Sequence, residues 1–222
     1  MLEIVDMKNT KEKATLKLDQ ARGSQVELAQ KLASFLGKQE NRITEIPGVS
    51  LHQRTAPTPP CRMTYHPGII VVAQGSKQVN LGRTSFTYDE SRFIVTAVDL
   101  PIVSWVAEAT EEFPCLALSM KLDISMVREL LSREEIHVAE ASTDSTAMSI
   151  GETTQEFLNA CCRLVDLLDN PQDIPFLSGL VQREIIYRVL RGRAGLRPFS
   201  VLLRLIGPSH RHTCGRRAIK QI

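Results

Sequence analysis

The spacing of histidine, cysteine and carboxylate is the first test of what chemistry this chain can do. Residues Gly68 to Leu122, which carry most of its alternating apolar pattern, contain no histidine. A metal site inside a small barrel takes two or three histidines and a carboxylate from facing strands, because imidazole and carboxylate together suit Fe, Mn or Zn. His52 and His66 are isolated, with no His-x-His pair, so no barrel metal site is expected. His210, His212 and Cys214 cluster near the C-terminus, where three such ligands can hold a borderline metal adventitiously; a solvated tail is the simpler reading. Cys161 and Cys162 are adjacent and cannot form a C-x-x-C redox pair; Cys161 reads as a small buried hydrophobe. The expectation is no catalytic residue, no metal and no cofactor.

Small-molecule binding is the chemistry that remains. Trp105, the only tryptophan, shares a strand face with Val103 and Ala107 and reads either as core packing or as the aromatic wall of a ligand pocket. Tyr88, Phe93, Met120 and Met63 stand between the same two readings. Arg54, beside a proline-rich stretch, is either solvated or an anchor for an anionic ligand through paired hydrogen bonds. Arg183, Arg188, Arg191, Arg193, Arg197 and Arg204 give the last third a basic bias, read as a solvated helix face ahead of phosphate contact.

The elements that must position these residues are mainly strands. Between residues 68 and 107 short apolar runs are broken by Gly and Asp at 8–12-residue intervals, which predicts a β-meander. Ile69 to Ala73 is a continuous apolar run, the pattern of a strand buried on both faces. Val79 and Leu81 alternate with Gln78 and Asn80, and Phe86 and Tyr88 with Ser85 and Thr87. Arg92 to Val98, Ile102 to Ala107 and Cys115 to Leu122 continue the series. Strands this short leave exposed edges, so closure into a sandwich or small barrel is expected. Ile43 to Gln53 reads as an edge strand, and Pro57, Pro59 and Pro60 as an extended loop over the barrel mouth.

Helices flank the strands. Ser24 to Glu27 forms a capping box for a helix that Gly37 ends. Asp123 caps a helix reaching about Arg133, and Glu134 to Ile150 reads mostly as loop. Thr153 to Glu156 offers a second capping box. Phe157, Cys161, Leu164 and Leu168 then form one apolar stripe, and Leu177, Leu180, Val181, Ile185 and Val189 another, in a helical hairpin closed by Gly192. Phe157, Cys161, Leu164, Leu168, Leu177, Val181 and Ile185 are the candidate dimer interface.

The 222 residues suit one domain with a proper core, or one domain plus an appendage, and 43% hydrophobic with 23% charged residues is ordinary for a globular protein. A net charge of +2 is modest for a nucleic-acid binder. Five cysteines without a framework favour reduced cytoplasm. Neither a signal-peptide core nor a membrane-spanning apolar stretch is seen, so no membrane partner is expected.

The stretches GIIVVAQGSKQVNLG, YDESRFIVTAVDLPIVSWV and CLALSMKLD, with ITEIPGVSLHQRTAPTPP before them and QREIIYRVLRG after, resemble the N-terminal effector domain of AraC-type transcriptional regulators over about residues 25 to 192. The resemblance implies a cupin-like β-barrel (a double-stranded β-helix) with an N-terminal helix and a C-terminal helical pair. It implies a homodimer that senses an unknown small-molecule effector, with DNA bound only through a C-terminal helix-turn-helix domain absent from this chain. A ligand in the barrel would bias the helical packing and so reposition the DNA-binding domains. The chain divides accordingly into an arm (1–23), helix plus barrel (24–122), helical dimerisation region (123–192) and tail (193–222). RRAIKQI at the end resembles the start of the DNA-binding region, whereas PFSVLLRLIGPSHRHTCG fits it poorly. A small cupin enzyme, isomerase or metal-dependent oxygenase, is the alternative of another class, and a stand-alone heterodimerising module the third.

Overall fold

Period-two patterning becomes strands in the computed structural model, which describes residues 20–132 and 147–192. They are β1 (Asn41–Ile43), β2 (Val49–Arg54), β3 (Cys61–Tyr65), β4 (Gly68–Gln74), β5 (Ser76–Leu81), β6 (Thr84–Tyr88), β7 (Arg92–Thr96), β8 (Leu100–Glu108), β9 (Cys115–Lys121) and β10 (Met148–Glu152). They form a six-stranded sheet ordered β1-β2-β9-β4-β7-β10 and a four-stranded sheet ordered β3-β8-β5-β6, antiparallel throughout. The protein is mainly β with a helical appendage, and the arrangement is cupin-like; the two sheets face each other without closing into one continuous barrel.

The strand pairing is not a meander. Only β1–β2 and β5–β6 pair as sequence neighbours; β4 and β5, one residue apart, part to opposite sheets. Periodicity marks a strand and its buried face, but it does not name the partner. The parting occurs at Gly75, whose φ of +80° strains any L side chain, and whose Cβ would lie 2.7 Å from the Glu108 carbonyl oxygen. β2, expected at an edge, lies between β1 and β9. Met148–Glu152, within a stretch expected to be mostly loop, pairs with β7 and closes the other end of the sheet.

Strand alternation gives the six-stranded sheet two dry faces. Val49, Leu51, Ile69, Val71, Phe93, Val95, Leu116, Leu118 and Met120 pack against helices, and Val72, Ile94, Ala117 and Met148 face the smaller sheet. The helices are α1 (20–36), α2 (Ile124–Leu131), α3 (Gln155–Asp166) and α4 (Ile174–Arg191), with two 3₁₀ turns between the last two. α1 contributes Leu28, Leu32 and Leu36 to this core, α3 Phe157, Cys161 and Leu164, and α4 Ile185 and Val189. The Phe157 ring stacks on Phe93 at 4.7 Å between centroids.

Asp123 caps α2 by accepting from the backbone N–H groups of Ser125 and Met126, as expected. The other two capping assignments shift. Ser24 lies inside α1, where its hydroxyl meets Asn159 Oδ1 at 2.7 Å and ties α1 to α3. Thr154, not Thr153, caps α3. The dimer expectation is corrected in five positions. Phe157, Cys161, Leu164, Leu168 and Ile185 are sequestered within the monomer's own core, because an apolar stripe records burial without saying against what. Val181 is half-buried, and Leu177 remains exposed at 42%. The exposed apolar side chains of α4 are Phe176 (76%), Leu177, Leu180 (63%) and Tyr187.

Residues 1–19 of the expected arm, Arg133 at the expected helix end, 134–146 of the expected loop, and 193–222, with His210, His212, Cys214, Arg193, Arg197 and Arg204, lie outside the described residues. Among the described residues no helix is long and apolar enough to cross a membrane.

Candidate functional site

A cavity of about 450 Å³, lined by residues of both sheets, lies at the Arg54 end of β2. The six-stranded wall presents His52, Ile70, Cys115, Ala117 and Ser119; the four-stranded wall presents Cys61, Met63, Lys77, Ser104 and Val106. The proline-rich segment crosses one side with Thr58 and Pro59. Three prolines in four residues deny it helix and most ladder hydrogen bonds. It is tethered instead by Thr58: its N–H donates to the Val106 carbonyl at 3.1 Å, and its Oγ1 accepts from the Val106 N–H at 2.9 Å.

His52 lies opposite both Asn41 and Ala117 in the ladders. Its Nδ1 is 3.0 Å from Asn41 Oδ1 and its Nε2 2.9 Å from Ser119 Oγ. Asn41 Oδ1 also accepts from Arg54, which identifies that atom as the oxygen; Nδ1 therefore carries the proton, and Ser119 donates to Nε2. Burial, then the charges of Lys77 and Arg54, push the imidazole down to about 4, so His52 is neutral near pH 7. Arg54 Nη1 donates to the carbonyls of Glu40 (2.9 Å) and Gln53 (2.6 Å), and lies 3.6 Å from the Glu40 carboxylate. Below the cavity Tyr65 Oη joins Tyr88 Oη and Ser104 Oγ, each at 3.0 Å, and Ser104 donates to the Gln78 carbonyl. Burial holds the Tyr88 phenol well above its ordinary range.

Of the residues singled out from sequence, Arg54, Met63 and Trp105 are at the cavity. Trp105 borders the cavity without sharing the inward face of its strand neighbours. It alternates with Ser104 and Val106 on β8 and pairs with Gln78, which sets its side chain on the opposite face of the sheet from theirs. Tyr88 belongs to the packed inter-sheet core and does not line the cavity, and Phe93 and Met120 face the helices. Sequence reasoning missed His52, Lys77 and Ser119 as cavity residues. Lys77 had a readable signal: it shares the parity of Val79 and Leu81, so it is a lysine on a dry face. The basic residues of α4 are engaged locally: Arg183 pairs with both Glu129 oxygens at 2.6 and 2.7 Å, and Arg188 with Glu184. Among the described residues no group of three or more His, Cys, Asp or Glu is placed to hold a metal.

The family described as AraC-type transcriptional regulator N-terminus matches residues 45–197. No curated protein matches the chain. Solved structures similar to it include unsaturated fatty acid bound wild-type ToxT from Vibrio cholerae strain SCE256, at a TM-score of 0.42 and 9% identity over 63% of this chain and 53% of that one. ToxT from Vibrio cholerae in the P21 form gives 0.42 and 10% over 62% and 56%. The chain spans about half the length of these structures.

Proposed function

The chain belongs to the AraC-type transcriptional regulators, whose N-terminal domain matches residues 45–197, and from this premise we propose that it senses a small molecule in the cavity between its sheets. The observation that carries the reading is the cavity itself, within the size range of small-molecule sites, walled by both sheets and crossed by a tethered loop. The reading assigns it no catalysis, since neutral His52 has both ring nitrogens occupied by structural partners. DNA contact falls to a helix-turn-helix domain elsewhere in the regulator, acting in the cytoplasm. Sensing is assigned to the two sheets, β10 included, and helical packing to α1 to α4. A second copy of the chain is assigned to the exposed Phe176, Leu177 and Leu180 face of α4, through an isologous contact.

The test blocks the cavity at its mouth, where Met63 is 45% exposed and a larger side chain spares the core. Met63→Trp and Met63→Leu are compared in the whole regulator, by thermal shift against a metabolite library and by transcription from the regulator's own promoter. A compound that raises Tm and changes transcription in the wild type and in Met63→Leu, but not in Met63→Trp, is the expected outcome. Equal responses in both variants place the effector elsewhere and overturn the reading.

A further inference from the structure

We propose that the cavity selects a small monocarboxylate on an apolar body, with Lys77 as the residue that neutralises its charge. This rests on the sensing reading above and adds the ligand's chemistry to it.

Lys77 sits on the inward face of β5, opposite Val106 on one side and Tyr88 on the other. It is half-buried, lines the cavity, and makes no hydrogen bond or ion pair with any described residue. Among the described residues no aspartate or glutamate lines the cavity to balance it. A cation held partly away from water without a counter-charge is costly, and a ligand carboxylate supplies that counter-charge. Other polar groups of the lining have partners within the protein: Arg54 Nη1 on backbone carbonyls and near Glu40, His52 on Asn41 and Ser119, Ser104 on Tyr65 and Gln78. A cation with free donors matches an anionic group. The remainder of a ligand meets Pro59, Met63, Ile70, Val106 and Ala117, which offer apolar contact. A sugar or polyol would bury several hydroxyls against this apolar lining, at a desolvation cost for each.

The probes are hexanoate and 1-hexanol, equal in chain length and differing in charge. They are titrated by calorimetry at pH 7.5 into the whole chain, with the fluorescence of the single Trp105 as a second signal. The chain is used as wild type, Lys77→Met, Lys77→Arg and, as a surface control, Lys38→Met. Saturable hexanoate binding that Lys77→Met weakens by about tenfold or more, with Lys77→Arg and Lys38→Met keeping it, is the expected result, since a charge-assisted hydrogen bond is worth roughly 1.5–3 kcal/mol. Hexanoate affinity unchanged in Lys77→Met, or no hexanoate binding at all, overturns the proposal. Binding of 1-hexanol as tight as hexanoate, abolished by Met63→Trp, overturns the carboxylate assignment while leaving the sensing cavity standing.

Discussion

His52 Nε2 lies 2.9 Å from Ser119 Oγ across the β2–β9 ladder, and the bond holds only while the imidazole is neutral enough to accept it. In the folded chain the ring titrates at about 4 because burial, Lys77 and Arg54 all disfavour its charge; its ordinary value is 6.5. Between those pH values the unfolded chain binds a proton that the folded chain refuses. The stabilisation is therefore fully present above the ordinary value and is lost as pH falls toward the folded one.

Urea midpoints followed from pH 7 to pH 4.5 are expected to fall more steeply for the wild type than for His52→Gln. The differential loss should be on the order of 1–3 kcal/mol. Parallel profiles would show that His52 is free to protonate in the fold.

Gly151 pairs with Phe93 between β10 and β7, and a Cβ on the glycine would stand 2.2 Å from Phe93 Cζ. The ring is fixed on its far side by Phe157 and has little room to yield. Gly151→Ala should cost about 1–3 kcal/mol by overpacking. Adding Phe93→Leu should recover part of that loss, so a double-mutant cycle in urea is expected to show coupling of opposite sign to the single costs.

Cys61 is exposed, while Cys115, Cys161 and Cys162 are buried. Burial pushes the Cys115 thiol up, Cys162 up to about 12, and Cys161 higher still, so each stays a protonated, poor nucleophile. In a Cys214→Ser background, iodoacetamide at pH 7.5 should label Cys61 alone in the native state, and the other three only after denaturation. Mass spectrometry of peptides reads the result directly.

Two leucines one helix apart separate assembly from folding. Leu180 on α4 is exposed, whereas Leu164 on α3 is fully buried. Leu180→Glu should leave Tm nearly unchanged and shift the chain from dimer to monomer in light scattering after size exclusion. Leu164→Glu should abolish folding, because an unpaired carboxylate there has no partner and no water. A wild type that is monomeric at micromolar concentration removes the α4 face as a self-association surface.

The strands were legible in the sequence because alternation at Val79–Leu81, Phe86–Tyr88 and Leu116–Leu122 is a local property of the chain. Their partners were not, since the parting of β4 from β5 depends on what packs around Gly75, and those atoms come from Glu108 and Cys115 far along the chain. The same limit explains the candidate ligand residues. Phe93 and Met120 carry the right chemistry on the helix-facing side; only three-dimensional pairing tells which face borders a cavity. His52 looked isolated because its partners, Asn41 and Ser119, come from neighbouring strands rather than neighbouring positions. The dimer stripe failed for a related reason: five of its residues answer to α1 and the sheet of their own chain.

β9 carries Ala117 and Ser119 toward the cavity and Leu116, Leu118 and Met120 toward the helices, on consecutive positions. The two compartments are thus separated by a diaphragm one backbone thick. Close-packed interiors have little slack, so a guest that shifts β9 by a fraction of an ångström would load Leu118 and the helices resting on it directly. No relay of side chains would be needed to carry such a shift from one compartment to the other; the strand between them would itself be the moving part.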